Sequence, residues 1–106
     1  MEKITIPSSV VSIGEKAFNK CLKLNEIVFE EPSSLISIEE KLFNECILIE
    51  EITIPSSITS IKTNAFDSCT NLTSFTTSSK VKLIGDNAFY GCSSLETVFL
   101  SASENL

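Results

Sequence analysis

The sequence contains no His, no Trp and no Arg, and all eight of its basic residues are Lys. The missing His excludes a Ser-His-Asp or Cys-His nucleophile, His-based acid–base chemistry and His-ligated zinc. The missing Arg excludes the bidentate guanidinium forks that clamp phosphates. Fourteen Asp and Glu residues against the eight Lys give a net charge of −6, which argues against nucleic acid or an anionic membrane surface as a partner. No apolar run approaches the roughly 20 residues that cross a bilayer, so no membrane insertion is expected. The opening Met1-Glu2-Lys3-Ile4-Thr5-Ile6-Pro7 has neither the basic nor the apolar region of a signal peptide. The 106 residues allow one domain, 1–106. A chain of this length can bury about two-thirds of its unfolded surface, enough for a real core.

What the sequence does have is a period. Cys21, Cys46, Cys69 and Cys92 lie 25, 23 and 23 residues apart. Phe18, Phe43, Phe66 and Phe89 keep the same intervals, as do Ile13, Ile38, Ile61 and Ile84; Leu24, Ile49, Leu72 and Leu95 form a further column. An alternating pair opens each unit: Ile4/Ile6, Ile27/Phe29, Ile52/Ile54, Phe75/Thr77 and Val98/Leu100. Pro7, Pro32 and Pro55 follow the first three pairs and Ser78 the fourth, while the second unit gains its two extra residues at Glu30-Glu31. Period-two alternation of β-branched residues predicts a short strand, and Pro ends it because it has no N–H for a continuing ladder. The stretch from Gly14 to Cys21 reads as one or two helical or 3₁₀ turns with Ala17, Phe18 and Cys21 facing inward. One unit cannot bury its apolar side alone, so units must stack until each column becomes a ladder. The expected fold is a solenoid of about 4.5 repeats of 23–25 residues, starting near 4, 27, 52, 75 and 98. It places a parallel β-sheet of short strands on the concave side, with short helical or 3₁₀ turns and irregular segments on the convex side.

The run Ile4-Thr5-Ile6-Pro7-Ser8-Ser9-Val10-Val11-Ser12-Ile13-Gly14-Glu15-Lys16-Ala17-Phe18-Asn19-Lys20-Cys21 returns as Ile52 to Cys69 and, more loosely, as Ile27 to Cys46 and Phe75 to Cys92. These columns resemble a leucine-rich repeat. Within that fold they are most similar to the BspA-like class, found in bacterial surface proteins and in surface proteins of protists such as Trichomonas and Entamoeba. The resemblance covers nearly the whole chain. It implies a leucine-rich repeat solenoid, surface adhesion by protein–protein contact rather than chemistry, no cofactor, and the concave strand face as the binding surface. Two departures stand out. Glu39 and Lys62 occupy the position of Gly14 and Gly85, so that turn cannot need a positive φ in every repeat. Leu42 replaces the small Ala17, Ala65 and Ala88, which predicts a second turn pushed outward.

The cysteines admit three readings. Zinc normally wants local pairs such as C-x-x-C, which spacings of 23 to 25 do not offer. In-register side chains on rungs about 4.8 Å apart leave Cβ atoms too far apart for a disulfide, which wants about 3.8 Å. The favoured reading is a column of buried free thiols packed as small hydrophobes, with Cys21 and Cys92 the most reactive.

If Ile27 and Phe29 face inward, their neighbours face out. The predicted partner-binding residues are Glu26, Val28, Glu51, Thr53, Ser74, Thr76, Thr97 and Phe99, with Lys3 and Thr5 heading the same columns. Eight of the 14 carboxylates lie from Glu26 to Glu51, and only Lys41 offsets them there. Glu26 and Glu51 are expected as cross-strand neighbours that repel. Such a cluster could hold a basic segment or a calcium ion, although no Asp-rich loop with calcium spacing is present; the plainer reading is a solvated acidic face. Phe99 is either a contact anchor or packs on the tail from Ser101 to Leu106. Because these carboxylates are expected on a flat strand face without a pocket, the chain reads as non-enzymatic. Asn71-Leu72-Thr73 matches a glycosylation sequon. Without recognisable polar caps, the solenoid's ends are expected to expose ladder edges and invite self-association. The functional expectation is a protein-interaction module, cell-surface or secreted, meeting a host or matrix protein. The alternative is an intracellular scaffold or regulatory protein that binds a basic partner.

Overall fold

The structure, a computed structural model, describes residues 2–101. Eight short strands follow one another: β1 (Glu2–Ile6), β2 (Leu24–Phe29), β3 (Ser37–Ile38), β4 (Glu51–Thr53), β5 (Ser60–Ile61), β6 (Ser74–Ser78), β7 (Leu83–Ile84) and β8 (Thr97–Ser101). All pairings are parallel, and each joins strands from successive turns of the chain. β1, β2, β4, β6 and β8 open five successive rungs and line one face; β3, β5 and β7 line a second. This is the parallel solenoid that the columns predict. The alternating pairs turn Ile27, Phe29, Ile52, Ile54 and Phe75 into the core, where Leu24, Ile49 and Leu72 join them.

The third side is a corner of consecutive turns, and here the structure corrects the expectation of helical or 3₁₀ turns. No helix forms among the described residues. In the first rung the N–H groups of Ala17, Asn19 and Cys21 bond three residues back, to Gly14, Lys16 and Phe18. Those of Lys16, Phe18 and Lys20 instead bond the next rung, at Glu40, Leu42 and Asn44. An α-helix would need every N–H for its own carbonyls four residues back; sending each second donor to a neighbouring rung removes that possibility. Left-handed residues make this alternation work. Lys16, Lys41, Asn64 and Asn87 have φ of 57–62°, and Lys20, Glu45 and Ser68 of 59–64°, with Gly91 at 76°. Gly14 and Gly85 are not among these positions. Gly85 serves close approach instead: a Cβ there would lie 2.6 Å from the Thr63 backbone N. Leu42 does not push its turn outward. Its side chain is buried, and bonds of 2.8–3.1 Å link its turn to the rungs on both sides.

The corner buries two continuous ladders. Phe18, Phe43, Phe66 and Phe89 stack with centroids 5.2–5.7 Å apart and interplanar angles of 5–19°. Phe75 meets Phe66 and Phe89 edge-on at 5.5 and 5.0 Å. Beside them, the thiols of Cys46, Cys69 and Cys92 donate to the carbonyls of Phe18, Phe43 and Phe66, each at 3.1 Å.

The strand faces are not continuous. β1 pairs with β2, β4 with β6 and β6 with β8, but no ladder joins β2 to β4 among the described residues. On the second face the break falls one rung earlier: β3 pairs with β5 and β5 with β7, and among the described residues no strand of the first rung pairs with β3. The second rung therefore changes partners halfway. Its first strand belongs to the rung before it and its second strand to the rungs after it. Between the two lies the insertion Glu30-Glu31. In the first and third rungs Pro7 and Pro55 directly follow the inward pair. In the second, Glu30 stands there and its N–H donates to the Ile6 carbonyl at 2.9 Å, so β2 runs one bond further along β1 than proline would allow.

Candidate functional site

The sequence-predicted residues all lie on the face of β1, β2, β4, β6 and β8, but in two groups. On the three-stranded ladder, Glu51, Ser74 and Thr97 stand in one register row and Thr53, Thr76 and Phe99 in the next. Ser74, Thr76 and Thr97 are half-buried, Thr53 and Glu51 are exposed, and Phe99 is 54% exposed. Glu26 and the exposed Val28 lie instead beside Lys3 and Thr5 on the β1–β2 pair. The alternative in which Phe99 packs on the tail falls outside the described residues.

Glu26 and Glu51 are thus not ladder partners, which corrects the expected cross-strand pair. The strands that carry them run side by side without a ladder between them, β2 being paired with β1 and β4 with β6. The expectation of a flat face without a pocket also fails at this point. A groove of about 570 Å³ runs between β2 and β4. Glu26 and Val28 line one bank, Glu50, Glu51 and Thr53 the other, with Glu31 and Leu48 also on its walls. Asn25, Glu31, Leu48 and Glu50 were not among the predicted site residues. The signal that could have found them was the 25-residue spacing where the other two are 23.

The backbone of the groove is unusual for a sheet interior. Alternate residues of a parallel strand direct their N–H and C=O groups to the same neighbour. Glu30 bonding Ile6 turns the even residues of β2 toward β1, which leaves the groups of Ile27 and Phe29 facing β4. Ile54 donating to Thr76 at 3.0 Å likewise leaves those of Glu51 and Thr53 facing β2. At other junctions the residue just before a strand already takes part in the bonding: the Lys23 carbonyl accepts from Glu2 N–H, that of Glu50 from Thr73 and that of Thr73 from Glu96. No such bond ties Glu50 N to β2 among the described residues.

The charge of the groove is uncompensated. Among the described residues the one ion pair, Lys62 Nζ to Glu39 Oε1 at 3.6 Å, lies on the β3–β5 side. No three acidic or thiol side chains among the described residues converge closely enough to hold a metal ion. The four cysteines are free, Cys46 and Cys69 buried and Cys21 and Cys92 half-buried. Burial pushes the Cys46 thiol up to about 11 and raises those of Cys69 and Cys92 as well, so these groups stay protonated at neutral pH. Asn71, in the sequon, is exposed.

Comparison with known proteins agrees with this architecture. The pattern described as "BspA type Leucine rich repeat region (6 copies)" matches residues 1–105. A leucine-rich cell surface protein from Faecalibacterium prausnitzii A2-165 is 35% identical, with a TM-score of 0.88 over 96% of this chain and 26% of its own. A leucine-rich repeat protein from Bacteroides ovatus ATCC 8483 is 40% identical, with a TM-score of 0.82 over 92% of this chain and 25% of its own. The chain therefore spans about a quarter of the length of either. No curated protein is significantly similar to it. Repeat columns, parallel rungs and these matches together place the chain in the BspA-type leucine-rich repeat family.

Proposed function

We propose that the chain is a non-enzymatic protein-binding module displayed at a cell surface, where the strand face meets a host or matrix protein. The observation that carries this reading is the outward surface itself. Two rows of hydroxyl, carboxylate and apolar side chains, from Glu51 and Thr53 to Thr97 and Phe99, are held in register on a rigid ladder. Rigid elements hold contact groups in place at low entropic cost on binding. Membership of a repeat family that generally serves protein contact supports the reading, and the cell-surface description of the similar F. prausnitzii protein supports the location. No helix among the described residues is long and apolar enough to cross a membrane.

The test has two arms. Antibody against the chain should label intact source cells before permeabilisation; label only afterwards would sink the surface assignment. Purified matrix proteins screened against the chain should include one whose binding drops in Thr76→Lys and Phe99→Asp variants. Binding that ignores both substitutions would remove the strand face from the interaction.

A further inference from the structure

We propose that the open junction between β2 and β4 is the seat of an extended, lysine- or arginine-rich segment of the protein partner. The inference rests on the reading of the strand face as protein-binding and names the part of that face and the partner chemistry.

Three features of the groove select this occupant. The first is the free row of backbone groups on Ile27, Phe29, Glu51 and Thr53, in a sheet whose other junctions on this face are closed. Unpaired strand edges take extended chains through main-chain hydrogen bonds, whereas a helix offers its backbone to nothing outside itself. The second is charge. Glu26 and Glu31 on one side and Glu50 and Glu51 on the other line the groove, and no lysine lies on its walls. The only cation in register with any of them is Lys3, beside Glu26 on the far side of β2. Four uncompensated carboxylates repel acidic segments and anionic polymers and favour a cationic chain, by selection against wrong partners as much as by attraction to the right one. The third is the pair of exposed aliphatic side chains, Val28 and Leu48, 36% and 38% exposed on the same walls. They offer contact area to the methylene stems of Lys or Arg while the charged heads reach the carboxylates.

The origin of the site is local. Removing Glu30 and Glu31 would leave Phe29 followed directly by Pro32, the order seen at Ile6-Pro7 and Ile54-Pro55. The insertion that opens the ladder is thus also a source of its charge, since Glu31 lines the groove.

The proposal is tested on the whole chain with a fluorescein-labelled peptide of alternating lysine and threonine, against the same peptide with glutamate for lysine. The lysine peptide should bind with an affinity that falls as salt rises. Glu26→Lys combined with Glu51→Lys should weaken it roughly tenfold or more. Deleting Glu30 and Glu31 should weaken it as well although Glu26, Glu50 and Glu51 remain. If that deletion does not fold, the charge reversal and hydrogen exchange decide the matter. On binding, the amides of Ile27, Phe29, Glu51 and Thr53 should exchange more slowly. Equal binding of the glutamate peptide, indifference to the charge reversal, or unchanged exchange at those four amides would each overturn the proposal. So would concentration-dependent self-association abolished by the same reversal, which would assign the groove to a second copy, or displacement of the peptide by calcium at low concentration. A matrix protein that needs Thr76 and Phe99 but ignores Glu26 and Glu51, with no affinity for the lysine peptide, sinks the groove and leaves the strand-face reading standing.

Discussion

The turn corner and the strand face are made by the same rungs, yet one is unbroken and the other is split. At the corner, Phe18, Phe43, Phe66 and Phe89 stack without interruption across the 25-residue repeat as across the 23-residue ones. On the strand face the ladder stops between β2 and β4. The insertion sits between the strand and the second face, and the chain comes back into register before the next phenylalanine. The corner keeps its register because it carries the largest buried side chains and a hydrogen bond at every second residue. The strand face has a solvated alternative for each ladder bond it loses, so the mismatch is taken up there. A net hydrogen bond contributes about 1 kcal/mol, while misplacing a buried ring costs several. The cheaper seam is the one that opens, and in this family member it opens beside a cluster of carboxylates.

If the corner holds the stack, its central ring should matter most. Phe66 is 1% exposed and touches Phe43, Phe75 and Phe89, whereas Phe18 is half-buried and stacks on Phe43 alone. Phe66→Ala should destabilise by about 3–5 kcal/mol and Phe18→Ala by clearly less, read from urea midpoints at constant m-value. Equal losses would mean that the corner is not the continuous element described here. The glycines give the next contrast. Gly85→Ala puts a methyl 2.6 Å from Thr63 N, a backbone contact that cannot rotate away, and should cost about 1–3 kcal/mol. Gly14→Ala meets nothing within 4 Å and should be neutral or mildly stabilising, by up to about 1 kcal/mol. A reversed order in the two melting temperatures would break the close packing of the third and fourth rungs inferred from Gly85.

Much of this was legible in the sequence, because core columns report themselves by identity at a fixed interval. Phe43, Cys69 and Ile61 are buried where their columns placed them. The expectation of helical turns fails for a physical reason. The apolar positions Ala17, Phe18 and Cys21 suit a helical turn as well as a tight corner, and periodicity does not report where the N–H groups go. The one available clue was Asn64 and Asn87 in one column with Gly91 in another, residue types that tolerate the left-handed region. Lys16, Lys41 and Glu45 in those columns hid it. The groove was half legible. The sequence points to Glu26 and Glu51, but an unbroken ladder would make them a repelling pair where the structure has two banks of a groove. An insertion of two residues is visible in sequence, whereas the seam that absorbs it depends on the relative strength of packing and ladder bonds.

The thiol column sharpens the same comparison with a smaller effect. Cys46 and Cys69 are buried in the corner, and burial raises both, Cys46 from 9.0 to about 11. The folded state favours the neutral thiol, so its contribution is complete below pH 9 and is lost as pH rises through about 11. Stability measured by urea unfolding should therefore decline over that window, and Cys46→Ala with Cys69→Ala should flatten the decline while lowering stability at neutral pH. Identical alkaline slopes in the two proteins would show that the column does not titrate on unfolding. Labelling of the native chain by an uncharged thiol reagent should favour Cys21 and Cys92 over the central pair, since the outer two are half-buried.

The smallest effect belongs to the junction of the second and third rungs on the β3–β5 side. There Lys62 reaches Glu39 at 3.6 Å, with side chains 45% and 25% exposed, and it is the one ion pair among the described residues. An exposed pair of this kind contributes about 0.2–1 kcal/mol and is screened by salt. The same junction carries the β3–β5 ladder, the corner bonds from Lys41, Phe43 and Glu45, and the Phe43–Phe66 stack. Lys62→Ala should thus shift the urea midpoint by no more than that small amount, and the shift should vanish at high salt. A loss of several kcal/mol would mean that charge, rather than packing and the remaining ladders, keeps the second and third rungs together while their outer strands stand apart.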